Sequence, residues 1–261
     1  MTAVISCTND SLYSYFIPIV AWCWNRIGVD VILFTPHKPD KALWFAMNEM
    51  NKDGSNRNKS FGFVAPADKQ ATYAQCSRLY AACLDLPGYE VIIIGDCDMA
   101  NFKVPPDMEN EMVVFGGDLV PEGQYPMCYA VASARVWRSA MKLHDKTYQE
   151  ELDFLLGDIN CENMRGNYWS KDQQTLWENT CDIAITIPRA RPGTQFADHR
   201  VDRDDINWRA YVNENLIDAH LWRPGYTDEN FPKILELLQT MYPAEDFTWL
   251  INYTNAYKKL L

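Results

Sequence analysis

Asp96 and Asp98 stand one residue apart, directly after the apolar run 91–95, VIIIG. Two carboxylates at that spacing on a bend converge on one hard divalent cation, and Mg²⁺ or Mn²⁺ held this way clamps a diphosphate. A strand ending in a polar, solvated turn has the same appearance, so the pair needs company. Three other groups supply it. Arg78 lies in the helical stretch before the run, within TYAQCSRLYAACLDLPGYE. Asp172 and Gln173 open a helical pattern in 169–179, WSKDQQTLWEN. His220 sits in 218–226, DAHLWRPGY, with Arg223 and Pro224 just behind it.

These residues need a frame that brings them to one place. The run 91–95 has no polar break, as a strand buried on both faces of a parallel sheet requires. Before it, 3–7, 29–34 and 61–64 read as strands and 12–28, 41–51 and 68–86 as helices, with a polar loop at 52–60. Thr8, Asn9 and Asp10 form a polar turn suited to capping the first helix. The order β-α-β-α-β-α-β is that of a doubly wound sheet. Its ligand crevice lies at the carboxyl ends of the strands, where Asp96 and Asp98 fall. Beyond it, 112–115 is a short strand entering Gly116-Gly117-Asp118, 127–133 and 134–143 are a strand and a helix, and 148–156 is a helix. A polar loop at 157–168, a helix at 171–179 and a last strand at 183–187 follow. Residues 189–205 are loop-like and dense in charge, 218–226 is a turn, and 231–241 and 247–259 are helices that pack on the flank. The expected class is α/β, a Rossmann-like domain with a mostly parallel mixed central sheet flanked by helices.

The 261 residues suffice for one domain with a large core. Basic residues number 24 against 35 acidic, a formal charge of -11, and no basic block occurs, so a nucleic-acid partner lacks its electrostatic footprint. An acidic protein that handles a nucleotide must gather its few cations, or a metal, at the site. No apolar segment approaches the roughly 20 residues of a membrane span, and MTAVISCTND has no positive leader region. The 8 cysteines are scattered without a CxxC pair, as buried thiols in a reducing compartment would be. A soluble, cytoplasmic protein without a transmembrane segment is expected.

In this order the motifs resemble glycosyltransferases with the nucleotide-diphospho-sugar-binding α/β fold, the GT-A type. The likeness is to the retaining group that includes glycogenin and the bacterial lipooligosaccharide galactosyltransferases. Arg78-Leu79 matches that group's arginine-leucine pair, Asp96 and Asp98 its Asp-x-Asp, and Cys128 to Arg138 its strand and Trp-Arg helix. Asp172, Gln173, Leu176 and Asn179 match its Asp-Gln motif, and His220, Arg223 and Pro224 its late histidine before a basic residue and proline. The likeness spans residues 3–226, with departures at Gly95, 129–132 and Gly225.

The resemblance implies transfer of a hexosyl unit from a UDP-sugar, UDP-galactose or UDP-glucose, to a sugar hydroxyl of a glycan or glycoconjugate acceptor, with retention. It implies Mn²⁺ or Mg²⁺ on Asp98 and His220 with Asp96 assisting, and imidazole favours Mn²⁺. Arg78 and Arg223 would place positive charge on the donor, Cys97 would join Asp96 and Asp98 in lining it, and Thr8 and Asn9 would hold its base or ribose. Asp172 and Gln173 would lie near the anomeric carbon. The chain would divide into a nucleotide-binding half at 1–102, an acceptor-binding half at 103–226 and a helical tail at 227–261.

Plainer readings compete. Arg78 could be a solvated helix face, Asp172 an acid favoured by a helix dipole, His220 a structural histidine, and Thr8 and Asn9 mere caps. Asp118 could touch the donor sugar or mark a turn, and Trp169, Trp177 and Trp222 could stack on a sugar or fill core. His144 and His199 have no assigned role. Two other functions remain: a haloacid-dehalogenase-like phosphatase with Asp96 as nucleophile, and a non-catalytic sugar-binding module. A sugar-nucleotide pyrophosphorylase would need a glycine-rich basic loop after the first strand, which Ser6-Cys7-Thr8-Asn9 is not.

Overall fold

Short apolar strands separated by capped helices build the amino-terminal half of the chain. In the computed structural model, residues 1–52, 54, 56–105, 111–116, 120–143, 145–157, 170–187, 200–212 and 216–261 are described. Strands β1 (Thr2–Ser6), β2 (Asp30–Pro36), β3 (Asn58–Phe63) and β4 (Val91–Ile94) run parallel, with β1 between β2 and β4. Asp10 and Asp40 cap α1 (Ser11–Ser14) and α3 (Lys41–Met50), their carboxylates accepting from Leu12 N and Leu43 N at 2.8 Å. α2 (Ile17–Arg26) and α4 (Gln70–Ser77) complete the alternation.

A 7-stranded sheet results, in the order β3-β2-β1-β4-β7-β6-β8. β7 (Ala130–Ser133) runs against both its neighbours, β4 and β6 (Met112–Phe115), while β8 (Ala184–Ile187) is parallel to β6. The sheet is therefore mostly parallel and mixed, as expected. Alternation along β4 divides two cores. Ile93 joins Ile5, Leu33, α2, α3 and the tail helices α8 (Phe231–Met241) and α9 (Thr248–Lys258) on one face. Ile92 and Ile94 join α4, α5 (Ala134–Ala140), α6 (Tyr148–Leu156) and α7 (Lys171–Thr180) on the other. Both faces are covered, which is why the strand could be uninterruptedly apolar.

Four local expectations are corrected. The helix expected over 12–28 is two helices, because Pro18 in the first turn of α2 cannot donate to the turn before it. The helix expected over 68–86 gives way after Ser77 to a 3₁₀ segment, Arg78–Cys83. The polar loop at 52–60 surrenders its end to β3, where Asn58 pairs opposite Val31 and its buried amide donates to Met50 O at 2.9 Å. That is an edge strand, which tolerates polar residues on its open side. Finally, the regions 189–205 and 218–226, expected as loop and turn, contain β9 (Arg200–Val201) and β10 (Asp218–His220). With β5 (Met99–Asn101) they form a 3-stranded sheet beside the acidic pair. Strands this short carry no periodicity to read.

The tail helices are bound to the first core through aromatic rings. Tyr15 stacks on Tyr253, its hydroxyl lies 2.8 Å from Thr254 Oγ1, and Tyr253 donates to its carbonyl at 2.8 Å. Among the described residues no helix is long and apolar enough to cross a membrane.

Gly225, where the chain departs from the pattern it resembles, has a packing explanation. A Cβ there would meet Phe16 Cε1 at 2.5 Å and Tyr15 Cε1 at 2.6 Å, atoms of rings that are themselves fully buried. Gly225→Ala should therefore lower stability by about 1–3 kcal/mol, read as a fall in the urea unfolding midpoint. An unchanged midpoint would show that the rings yield freely.

Candidate metal and donor site

β4 delivers its carboxyl end to the crevice and the chain turns at once. Gly95 N still bonds Val4 O at 3.0 Å, then Met99 N bonds Asp96 O at 3.3 Å, and β5 begins. β5 pairs antiparallel with β10, setting Met99 opposite His220, and Leu221 N donates to Asp98 O at 2.9 Å. This pairing carries a histidine from late in the chain to the acids. One donor atom from each of Asp96, Asp98 and His220 lies within 4.8 Å of the other two, with His220 Nε2 3.8 Å from Asp96 Oδ2.

The donor set suits a divalent cation: two carboxylates and one imidazole around a common point. Asp98 Oδ2 is buried without a well-directed hydrogen bond among the described residues. Bound there, the cation would be held by Asp96, Asp98 and His220. His220 Nδ1 lies 3.5 Å from Asp202 Oδ1 and 2.9 Å from Arg200 Nη2, a group that can only donate, so the neutral ring carries its proton on Nε2 and a cation bound there would displace it.

Arg78 underlies the acids. Its side chain is 6% exposed, and Nη1 donates to Gly95 O at 2.8 Å and to Asp96 Oδ1 at 2.6 Å. Nη2 donates to Asp172 Oδ2 at 3.0 Å, so one guanidinium joins the strand-end turn to the first turn of α7. Asp172 Oδ1 in turn accepts from Gln173 N at 2.8 Å, while Gln173 O accepts from Tyr125 N at 3.2 Å. Arg78 is thus no solvated helix face. Burial raises the Asp172 and Asp98 carboxyls above the usual range, against the pull of Arg78 on the first and of His220 and Arg223 on the second. For Asp96 burial acts upward too, but His220 and Arg78 outweigh it and hold the carboxyl low. In His220 burial favours the neutral ring, as does Arg200 Nη2, 2.9 Å from Nδ1. Asp202 and Asp96 prevail, and the imidazole pKa rises to about 9.

Arg223 Nε lies 3.4 Å from Asp98 Oδ2, its guanidinium covers the Tyr13 ring and Nη1 donates to the Tyr13 hydroxyl. The structure thus gathers Arg78, Asp96, Asp98, Asp172, His220 and Arg223. Thr8 and Asn9 form their hydrogen bonds elsewhere. Thr8 Oγ1 accepts from Asp10 N at 3.3 Å, while Asn9 bonds Lys38 O and Asp40 N, tying the loop after β1 to the loop after β2. Cys97 is buried, its thiol hydrogen-bonded to Cys7 and raised by that bond and by burial. Trp222 is buried edge-to-face on Trp208, ring centroids 4.9 Å apart, so it is core and not a sugar platform. Trp177 packs partly buried against the core beneath α7. Asp118, His144, Trp169 and His199 lie outside the described residues.

Four contributors escaped sequence analysis: Tyr13, Arg200, Asp202 and Arg203. The last three lie in the charge-dense stretch 200–205, RVDRDD, whose composition was the only signal.

The fold is of the GT-A type, the class in which solved structures of similar architecture fall. The galactosyltransferase LgtC, solved with donor and acceptor sugar analogs, superposes with a TM-score of 0.52 at 11% identity, over 94% of this chain and 98% of that one. The bifunctional glycosyltransferase WbbM gives 0.56 at 11% identity, over 98% of this chain and 51% of its own. GlyE of Streptococcus pneumoniae TIGR4 gives 0.52 at 10% identity, over 99% and 64%. No family model and no curated protein sequence matches the chain.

Two outcomes are expected. Arg78→Met leaves Asp96 and Asp172 without their shared counter-charge, and stability should fall by about 3–5 kcal/mol in urea titration. A loss below about 1 kcal/mol would mean the carboxylates find another partner. A cation using the imidazole must also displace a proton held up to about pH 9. Mn²⁺ affinity should therefore climb from pH 6.5 towards 9 by up to about tenfold per unit, with proton release seen by calorimetry in buffers of different ionisation enthalpy. A flat profile would remove His220 from the ligand set.

Proposed function

We propose that the protein is a metal-dependent glycosyltransferase that moves a hexosyl unit from a UDP-sugar, UDP-galactose or UDP-glucose, to a sugar hydroxyl of a glycan, with retention. One observation carries the reading: in a GT-A type sheet, Asp96, Asp98 and His220 converge at the carboxyl end of β4. A nucleoside diphosphate leaves only when its developing charge is neutralised, and a divalent cation, Mn²⁺ for preference given the imidazole, supplies that Lewis acidity.

The chain's own residues do the rest. Arg223, partly exposed beside Asp98, faces the donor phosphates, a fixed charge preorganised by the Tyr13 ring. Arg78 holds Asp96 and Asp172 at a set separation. Asp172, bound to Arg78 Nη2 and to Gln173 N–H, has both oxygens engaged and is a poor nucleophile. With Gln173 it serves a short-lived oxocarbenium-like state as a fixed charge and orients the acceptor. Cys97 lines the donor side, and Thr8 and Asn9 hold the base through the loop that Asn9 braces.

The phosphatase alternative asks Asp96 to attack phosphorus. Arg78 donates to its Oδ1 at 2.6 Å, and the carboxylate clusters with Asp98 and His220, the arrangement of a cation ligand and not of a lone nucleophile. Asp98→Ala and His220→Ala should each abolish Mn²⁺-dependent turnover of the UDP-sugar, with the far-UV circular dichroism preserved. A thermal-shift screen of nucleotide sugars should show stabilisation by UDP-sugars only when Mn²⁺ is present. Undiminished turnover in either variant, or full rate in chelated buffer, would refute the assignment.

A further inference from the structure

The turn after β9 presses a third guanidinium onto the acidic pair. β9 pairs parallel with β10, Arg200 opposite Asp218 and Val201 opposite Ala219. That register sets Asp202 beside His220 and sends Arg203 onward to Asp98, where its Nη2 lies 3.2 Å from Oδ2. The backbone there is fixed: Asp202 N donates to Asp205 Oδ2 and Arg203 N to Asp202 Oδ1, both at 2.8 Å.

Two atoms in this contact are unfinished. Arg203 Nη1 is buried with no acceptor among the described residues, and Asp98 Oδ2 has no well-directed donor there. A buried donor attached to a charge is costly to leave unpaired. Asp98 Oδ2 is also a metal-ligand candidate. A cation on that oxygen competes with the guanidinium for its lone pairs and repels it. One kind of ligand resolves both defects: a cation on Asp98 accompanied by anionic oxygens that Arg203 can turn to. A diphosphate meets that description, and guanidinium forks suit phosphate oxygens.

We propose that Arg203 is a diphosphate-binding residue of the donor site, and that its competition for Asp98 makes cation and diphosphate binding cooperative. This rests on the donor site argued above and extends it to a residue outside every motif of the resemblance. Linkage fixes the signs. Without phosphate, Arg203 opposes the cation; with phosphate, it adds a charged hydrogen bond.

The test compares wild type, Arg203→Ala and Arg203→Lys by calorimetry with Mn²⁺ alone, then with pyrophosphate and with UDP at saturating Mn²⁺. Arg203→Ala should bind Mn²⁺ alone at least as tightly as wild type, and both Mn²⁺-bound phosphates about 10-fold or more weakly. Arg203→Lys, which keeps the charge without the fork, should fall between. Equal phosphate affinity in wild type and Arg203→Ala would overturn the proposal while leaving the transferase reading intact. So would weaker binding of Mn²⁺ alone by Arg203→Ala. Conversely, wild type that binds Mn²⁺ and pyrophosphate with the expected Arg203 dependence, yet neither UDP nor any UDP-sugar, would overturn the transferase reading and uphold Arg203.

Discussion

The antiparallel contact between Met99–Asn101 and Asp218–His220 is the constraint on which the site depends. Asp96 and Asp98 are neighbours in sequence, and any strand-end bend would keep them close. The third donor has no such guarantee. Backbone pairing across the small sheet, closed by Leu221 N on Asp98 O, brings the histidine to the acids, and Arg200 and Asp202 flank its ring. Because the link is made by main chain, it specifies position without specifying side chains, and the side chains are left free for chemistry.

That contact assembles a site whose charges would repel one another if left alone. Asp96, Asp98 and Asp172 are drawn together in a largely buried place, and like carboxylates so placed raise one another's pKa. Arg78 relieves two of them from beneath, while Arg203 and Arg223 reach the third from the crevice. Buried pairs of this kind add little net stability and are costly to break. Their value lies in fixing geometry. A protein of net charge -11 concentrating these arginines at one strand end is arranged for an anionic ligand held through a cation.

The same economy shapes the surroundings. Gly225 lets the Arg223 loop lie against Phe16 and Tyr15, and Trp222 fills core beneath it. The tail helices cover the same rings. Packing at the flank and the position of a donor-site arginine are therefore one problem with one solution, which explains why the chain departs there from the pattern it otherwise resembles.

Much of this was legible in the residues. The unbroken apolar run 91–95 announced a strand covered on both faces, and capping aspartates marked helix starts, because burial and capping act locally and leave a periodic or positional trace. Asp96, Asp98 and His220 could be named because few side chains ligate hard or borderline cations. What remained hidden was decided at long range. Three residues of β10 and two of β9 have no period, and their conformation follows from pairing with β5 and with each other. Arg78 read equally well as a solvated face until the fold buried it between two acids. Arg203, in a stretch that looked like a charged loop, reaches Asp98 only because a parallel register sets it there. Sequence determines what each residue prefers; only the closed chain determines which charges meet, since Coulomb interactions depend on separations in space and not along the chain.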